Sequence, residues 1–197
     1  MKKYFIVLMV VIFALPLMAM SAGTPLDAVQ ANVNKVLDVL RDPKLKAPSA
    51  REAKKEKLRA IYKVMFDEIE LSKRTLGLHW NKLNAAERQE FVKLYQQVLE
   101  QAYIDKILAY TNEKVVYGKE NKTSANLAEV QTKIVTSSKE IPIDYRVIQS
   151  GGTWKVYDVV IENVSLVQNY RSQFNDILAH DTPKQLLVTL QNKVKAQ

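Results

Sequence analysis

Between Glu113 and Glu162 the spacing of apolar residues drops from about 3.6 to 2, and it returns to helical spacing beyond. That single switch constrains the fold more than any motif. Val115 and Tyr117 alternate first, followed by Ala128, Val130, Thr132, Ile134 and Thr136. Ile141, Ile143, Tyr145 and Val147 form a third run, and Trp154, Val156, Asp158 and Val160 a fourth. Breaks at "KENKTSAN", "SSKE" and "SGG" separate the runs, and Gly151 and Gly152 suit a tight hairpin turn. Short connections between successive strands imply an antiparallel four-stranded meander.

The flanks read as helices. Thr24 before Pro25, Ser49 with Glu52, Asn84 with Glu87, Ser165 with Gln168, and Thr182 before Pro183 and Gln185 are five helix starts. Ser49 and Ser165 match the capping-box pattern directly. Apolar stripes follow each start: Leu26, Val29, Val33, Val36, Leu37 and Leu40 in the first, and Leu58, Ile61, Tyr62, Met65, Phe66 and Ile69 in the second. A short piece from Leu71 to Leu76 ends at Gly77, and the longest stripe runs from Phe91 through Tyr95 and Val98 to Ile107. Helices, then a sheet, then helices make an α+β fold with the sheet's apolar face on a helical layer.

The chain opens with Lys2 and Lys3, an apolar run from Tyr4 to Leu17, and the small residues "AMSAG". This is the order of a secretory leader, with cleavage expected after Ser21 or Gly23. The run is shorter than the roughly 20 residues of a spanning helix, and Pro16 interrupts it. Residues 1–23 are therefore expected to be a cleaved signal peptide and residues 24–197 a single domain. Losing Lys2 and Lys3 lowers the net charge from +8 to +6. For an exported protein that balance favours lipid head groups or glycans over nucleic acid. The sequence contains no cysteine, which excludes disulfides, cysteine-ligated metal and a cysteine-linked lipid anchor. The expected product is a soluble periplasmic protein.

Catalytic signatures are sparse. His79 and His180, the only histidines, lie far apart and show no paired-ligand spacing, so no metal or other cofactor is expected. There is no G-x-S-x-G elbow, and five glycines leave little material for a phosphate-cradling loop. Arg51, Lys54, Lys55, Lys57 and Arg59 form a basic cluster that reads as a solvated helix face or a docking surface. Asp158, inside an apolar strand, is either a hydrogen-bonded structural carboxylate or a desolvated general base. Tyr103, Tyr117, Tyr145 and Tyr157 suit a core, or the rim of an apolar cavity.

The stretch "YDVVIENVSLVQNYRSQF", Tyr157 to Phe174, resembles the MlaC family of periplasmic phospholipid-binding proteins, also called toluene-tolerance proteins. Tyr157, Asp158, Glu162, Val164, Ser165, Tyr170 and Arg171 carry the likeness. "LNAAERQEFVKLYQQVLEQAY" from Leu83 and "TWKVYD" from Thr153 extend it over most of residues 24–197. Asn163 stands where the family pattern Glu-Gly-Val-Ser has glycine, which suggests positive φ at a strand-to-helix corner; asparagine tolerates it next best.

The resemblance implies a non-catalytic phospholipid carrier with an apolar pocket between sheet and helices. It also implies exchange between an MlaA-type outer-membrane lipoprotein complex and the MlaD-type ring of an inner-membrane ABC transporter, maintaining outer-membrane lipid asymmetry. The expected pocket lies between Val130, Ile134, Ile143, Tyr145, Val147, Trp154, Val156 and Val160 of the sheet and Tyr103, Ile107, Val167, Tyr170 and Phe174 of the helices. Arg171 would meet a lipid phosphate or an anionic partner, or form a salt bridge. A monomer suits a shuttle. Two competing readings remain: a periplasmic enzyme with a cone-shaped apolar pocket and Asp158 as base, and an adaptor whose stripes are filled core.

Overall fold

The computed structural model describes residues 23–110 and 113–196. The predicted leader, apart from Gly23, lies outside the described residues. Six helices and one antiparallel sheet follow in order: α1 (Pro25–Arg41), α2 (Arg51–Met65), α3 (Glu68–Leu76), α4 (Ala85–Leu108), β1 (Lys114–Ser124), β2 (Leu127–Val135), β3 (Glu140–Ser150), β4 (Thr153–Ile161), β5 (Val164–Ser165), α5 (Leu166–Leu178) and α6 (Pro183–Lys195). The strand order is β1-β2-β3-β4-β5, so the four-stranded meander carries a fifth, two-residue strand.

Three caps form as the sequence dictates. Thr24 with Asp27, Asn84 with Glu87 and Thr182 with Gln185 each satisfy a pair of otherwise orphaned N–H groups at their helix starts. Ser49 does not cap. Pro48 opens its own 3-10 turn, so α2 begins two residues after Ser49, with Ala50 at the cap position and no side-chain bond. Ser165 caps by accepting from the Gln168 N–H at 3.1 Å, but the reciprocal half of the box is absent. Its own proton goes instead to Asp158.

Both tight turns around β4 use consecutive residues at positive φ. Gly151 and Gly152 stand at 57° and 79°, Glu162 and Asn163 at 48° and 67°. Such turns match the twist of antiparallel strands. "KENKTSAN", expected as a break, is mostly strand. β1 runs to Ser124 and turns only at Ala125 and Asn126, with irregular pairing after Tyr117 and again after Lys122. These polar residues have no face to bury, so alternation could not mark them.

A bulge reshapes β4. Val147 pairs with Val156 but Arg146 pairs with Asp158, so Tyr157 is an extra residue. Because side chains alternate, one inserted residue exchanges the two faces. Trp154 and Val156 therefore share a face with Val159, while Asp158 and Val160 point to the opposite side, beside Arg146 and Asp144. The expected single face of Trp154, Val156, Asp158 and Val160 is corrected accordingly.

Two buried clusters result. Val29, Val33 and Leu37 of α1, with Met65, pack on Ala128, Val130, Val147, Trp154 and Val156 of the inner sheet face. Leu71, Leu76, Trp80, Phe91, Tyr95 and Val98 pack with Val167, Tyr170, Phe174, Leu186 and Leu190 in a second, purely helical cluster. Its centre is aromatic: Tyr95 lies 5.3 Å from Tyr170 and 5.5 Å from Phe174, both edge-on. Phe66, between α2 and α3, touches both clusters. It forms a parallel bridge to Val156, and the Asp67 N–H donates to the Val156 carbonyl at 2.9 Å. This hinge ties the helical layer to the β4 edge.

Candidate functional site

α1 covers only part of the inner sheet face. Ala128, Val130, Val147, Trp154 and Val156 are buried beneath it, whereas Ile134, Ile143, Tyr145, Val159 and Ile161, further along the same face, stay half-buried. Tyr145 is the informative member. Burial pushes its hydroxyl well above the usual phenol range, yet the side chain keeps accessible surface and the hydroxyl has no hydrogen-bond partner among the described residues. Protein atoms thus surround much of the ring while part of its surface stays accessible.

Tyr62 of α2 behaves in the same way. Burial raises its hydroxyl, with Glu68 adding to the effect, and its ring stacks on Phe66 at 4.5 Å between centroids. Glu68 is itself raised by burial, and its Oε1 is buried without a partner among the described residues.

The structure divides the expected pocket residues into four groups. Val130, Val147, Trp154 and Val156 fill the sheet core, and Val167, Tyr170 and Phe174 fill the helical one. Val160, buried on the opposite sheet face after the bulge, belongs to neither wall of the expected pocket. Ile134, Ile143 and Tyr145 remain reachable on the inner face, as do half-buried Tyr103 and Ile107, 41% exposed, in the last turns of α4. Tyr62 and Phe66 were read only as a helix stripe. The "DEIE" that follows them holds the missed signal, because Asp67 caps α3 through the Glu70 N–H at 2.9 Å.

A polar recess of about 240 Å³ lies at the β4–α5 corner, lined by Arg74, Arg146, Tyr157, Asp158, Val167, Gln168 and Arg171. It is smaller than the roughly 300–1,000 Å³ of sites that enclose a small ligand, and its charged walls do not suit acyl chains. Asp158, 2% exposed, organises it. Its Oδ2 accepts from Ser165 Oγ at 2.6 Å and Arg146 Nη1 at 3.1 Å, and its Oδ1 from the Val167 N–H at 3.0 Å. The carboxylate thereby joins β3, β4 and the start of α5, the bonding that a structural carboxylate would make. Arg171 donates through Nε (2.9 Å) and Nη2 to the Arg74 carbonyl, in the last turn of α3; among the described residues it forms no salt bridge, one of the two alternatives read from the sequence.

His79 sits in the 3-10 turn after α3 and His180 beyond the end of α5. Among the described residues no cluster of His, Asp or Glu is placed to hold a metal. The basic cluster of α2 is largely paired: Arg51 with Asp105, Lys55 with Glu52, Lys57 with Asp42, and Arg59 with Glu56 and Glu100. Among the described residues no helix is long and apolar enough to cross a membrane.

Similar proteins agree with this architecture. The chain is 26% identical over 173 residues to toluene tolerance protein Ttg2D of Pseudomonas putida, covering 87% of this chain and 80% of that one. It is 27% identical over 101 residues to the intermembrane phospholipid transport system binding protein MlaC of Haemophilus influenzae, spanning 49% of this chain and 47% of the relative. A solved phospholipid-binding protein from Ralstonia solanacearum, in complex with a phospholipid, superposes with a TM-score of 0.80. That match has 20% identity and covers 88% of this chain and 98% of the other. The family model described as MlaC protein matches residues 30–192, and the chain belongs to the MlaC family.

Proposed function

We propose that this protein is a periplasmic phospholipid carrier that holds acyl chains against the uncovered half of its inner sheet face. The observation that carries the reading is Tyr145, enclosed yet reachable and unpaired, beside half-buried Ile134 and Ile143. On the helical side we place Tyr62 and Phe66, at the end of α2, and Tyr103 and Ile107, in the last turns of α4. Buried Val130, Val147, Trp154 and Val156 support the sheet wall from the core, as Val167, Tyr170 and Phe174 support the helices. The names of the Haemophilus and Ralstonia proteins, which refer to phospholipid, support the ligand class.

Physical chemistry explains the requirement for a carrier. Two chains of about 15 methylenes each, at about 0.8 kcal/mol per methylene, make free lipid in water unfavourable by about 24 kcal/mol. A carrier must return most of that burial while still allowing release. An open apolar face without fixed polar contacts does both, because it resembles the bilayer interior it trades with. In this reading residues 1–23 are a cleaved leader, and residues 24–197 act as a monomer. The protein exchanges lipid with an MlaA-type complex at the outer membrane and an MlaD-type ring at the inner one, without catalysis.

The test is transfer between vesicles. Residues 24–197, mixed with donor vesicles of phosphatidylethanolamine and phosphatidylglycerol carrying a fluorescent phospholipid, are expected to extract the label and deliver it to acceptor vesicles. Transfer no faster than in buffer alone would overturn the reading.

A further inference from the structure

We infer that the polar recess at the β4–α5 corner is a binding site for a phosphate-type oxyanion, separate from the acyl-chain surface. It stands independently of the carrier reading. The recess is on the other side of the sheet: Arg146 and Asp158 point away from the face that bears Tyr145, Val147 and Val156. Its lining carries three guanidinium groups against one carboxylate. That carboxylate is already committed to Ser165, Val167 and Arg146.

The arginines are held in place before any ligand arrives. Arg74 is fixed by Glu70 through Nε at 2.7 Å and lies over the Tyr157 ring at 4.0 Å. Arg146 is braced by Glu129 at 3.1 Å as well as by Asp158. Arg171 is anchored on the Arg74 carbonyl and has no carboxylate partner among the described residues. Glu70 and Glu129 fall outside the lining, so they orient two of the arginines without filling the recess.

Each arginine keeps N–H donors in excess of these bonds, in the planar fork that matches phosphate oxygens. A carboxylate ligand needs one such fork, whereas a tetrahedral oxyanion can use several at once. The ordering entropy of the long side chains is already spent, which favours binding. A volume of about 240 Å³ suits a compact anion. The α5 N-terminus adds little, because the Val167 and Gln168 N–H groups already have partners.

The test uses residues 24–197 at about 0.15 M salt, where loose surface pairing is screened. Inorganic phosphate and glycerophosphoglycerol, the water-soluble head of a phosphodiester lipid, are titrated separately by calorimetry. One saturable site is expected for at least one probe. Arg171→Gln is expected to weaken it at least about tenfold, and Arg41→Gln, away from the recess, to leave it unchanged.

In the wild-type protein, saturable shifts of arginine Nε–H resonances with the same probe read the site even where a variant folds poorly. Binding of the diester as tight as that of phosphate assigns the site to a lipid head group; binding of phosphate alone assigns it to a free anion. Absence of saturable binding for both probes, or binding indifferent to Arg171→Gln in a folded variant, would overturn the inference.

Discussion

Tyr145→Glu is expected to lower phospholipid uptake from liposomes by about 100-fold, whereas Tyr145→Phe should bind as the wild type does. The Tyr145 hydroxyl has no partner among the described residues, so its removal costs no bond there, and the ring's apolar surface remains. A carboxylate at the same place must either hold water that acyl chains would expel or take up a proton. An uncompensated polar group of this kind costs about 3 kcal/mol, equivalent to about 100-fold in affinity.

The neighbouring position supplies the contrast. Val147 is on the same face but 1% exposed in the filled core, so Val147→Glu is expected to prevent folding rather than to expel lipid. Liposome flotation with circular dichroism of each variant distinguishes the two effects. If Tyr145→Glu folds and still takes up lipid normally, the acyl chains lie elsewhere.

Asp158→Ala should cost about 3 kcal/mol, and Asp158→Asn about half of that. The alanine variant strands the Val167 N–H and the Ser165 hydroxyl and removes one of the two carboxylates bonded to Arg146. Glu129 remains with Arg146, which keeps the cost at the lower end for a broken buried pair. Asparagine preserves the volume and one acceptor oxygen. For a domain of this size the alanine loss corresponds to about 6–12 °C in melting temperature, measurable by thermal circular dichroism. The enzyme reading predicts a different result: an unchanged melting temperature for Asp158→Asn, with loss of a turnover.

The parts of the fold written locally were legible. Thr24, Asn84 and Thr182 cap helices because a short polar side chain three residues before its acceptor partner is a complete local device. Gly151, Gly152 and Asn163 announce turns because few residues accept positive φ. The β4 bulge left no such mark. Tyr157 suits a regular strand as well as a bulge, and its insertion is fixed by pairing with β3 and by the bonds of Asp158.

The misassignment of Val160 follows from that one residue, since a period of two turns a single insertion into a change of face. Residues expected to line one pocket were likewise divided between two cores, because an apolar stripe specifies burial but not against which neighbour. Val130 is buried in the cluster that α1 covers while Ile134, four residues along the same strand, stays half-buried, a difference that the stripe itself does not encode. The arginine recess was illegible for a related reason: Arg74, Arg146 and Arg171 come from three elements that meet only when the chain folds.

The carrier account is tested most directly by the lipid the protein holds when it is isolated from the cells that produce it. Mass spectrometry of an organic extract, with phosphorus and protein quantified on the same sample, gives the ratio of phospholipid to chain. The account predicts a ratio near one that survives size-exclusion chromatography and falls sharply for Tyr145→Glu. A lipid-free protein that also takes up none from liposomes would contradict it, and the half-covered sheet face would then have to be a surface for some other partner.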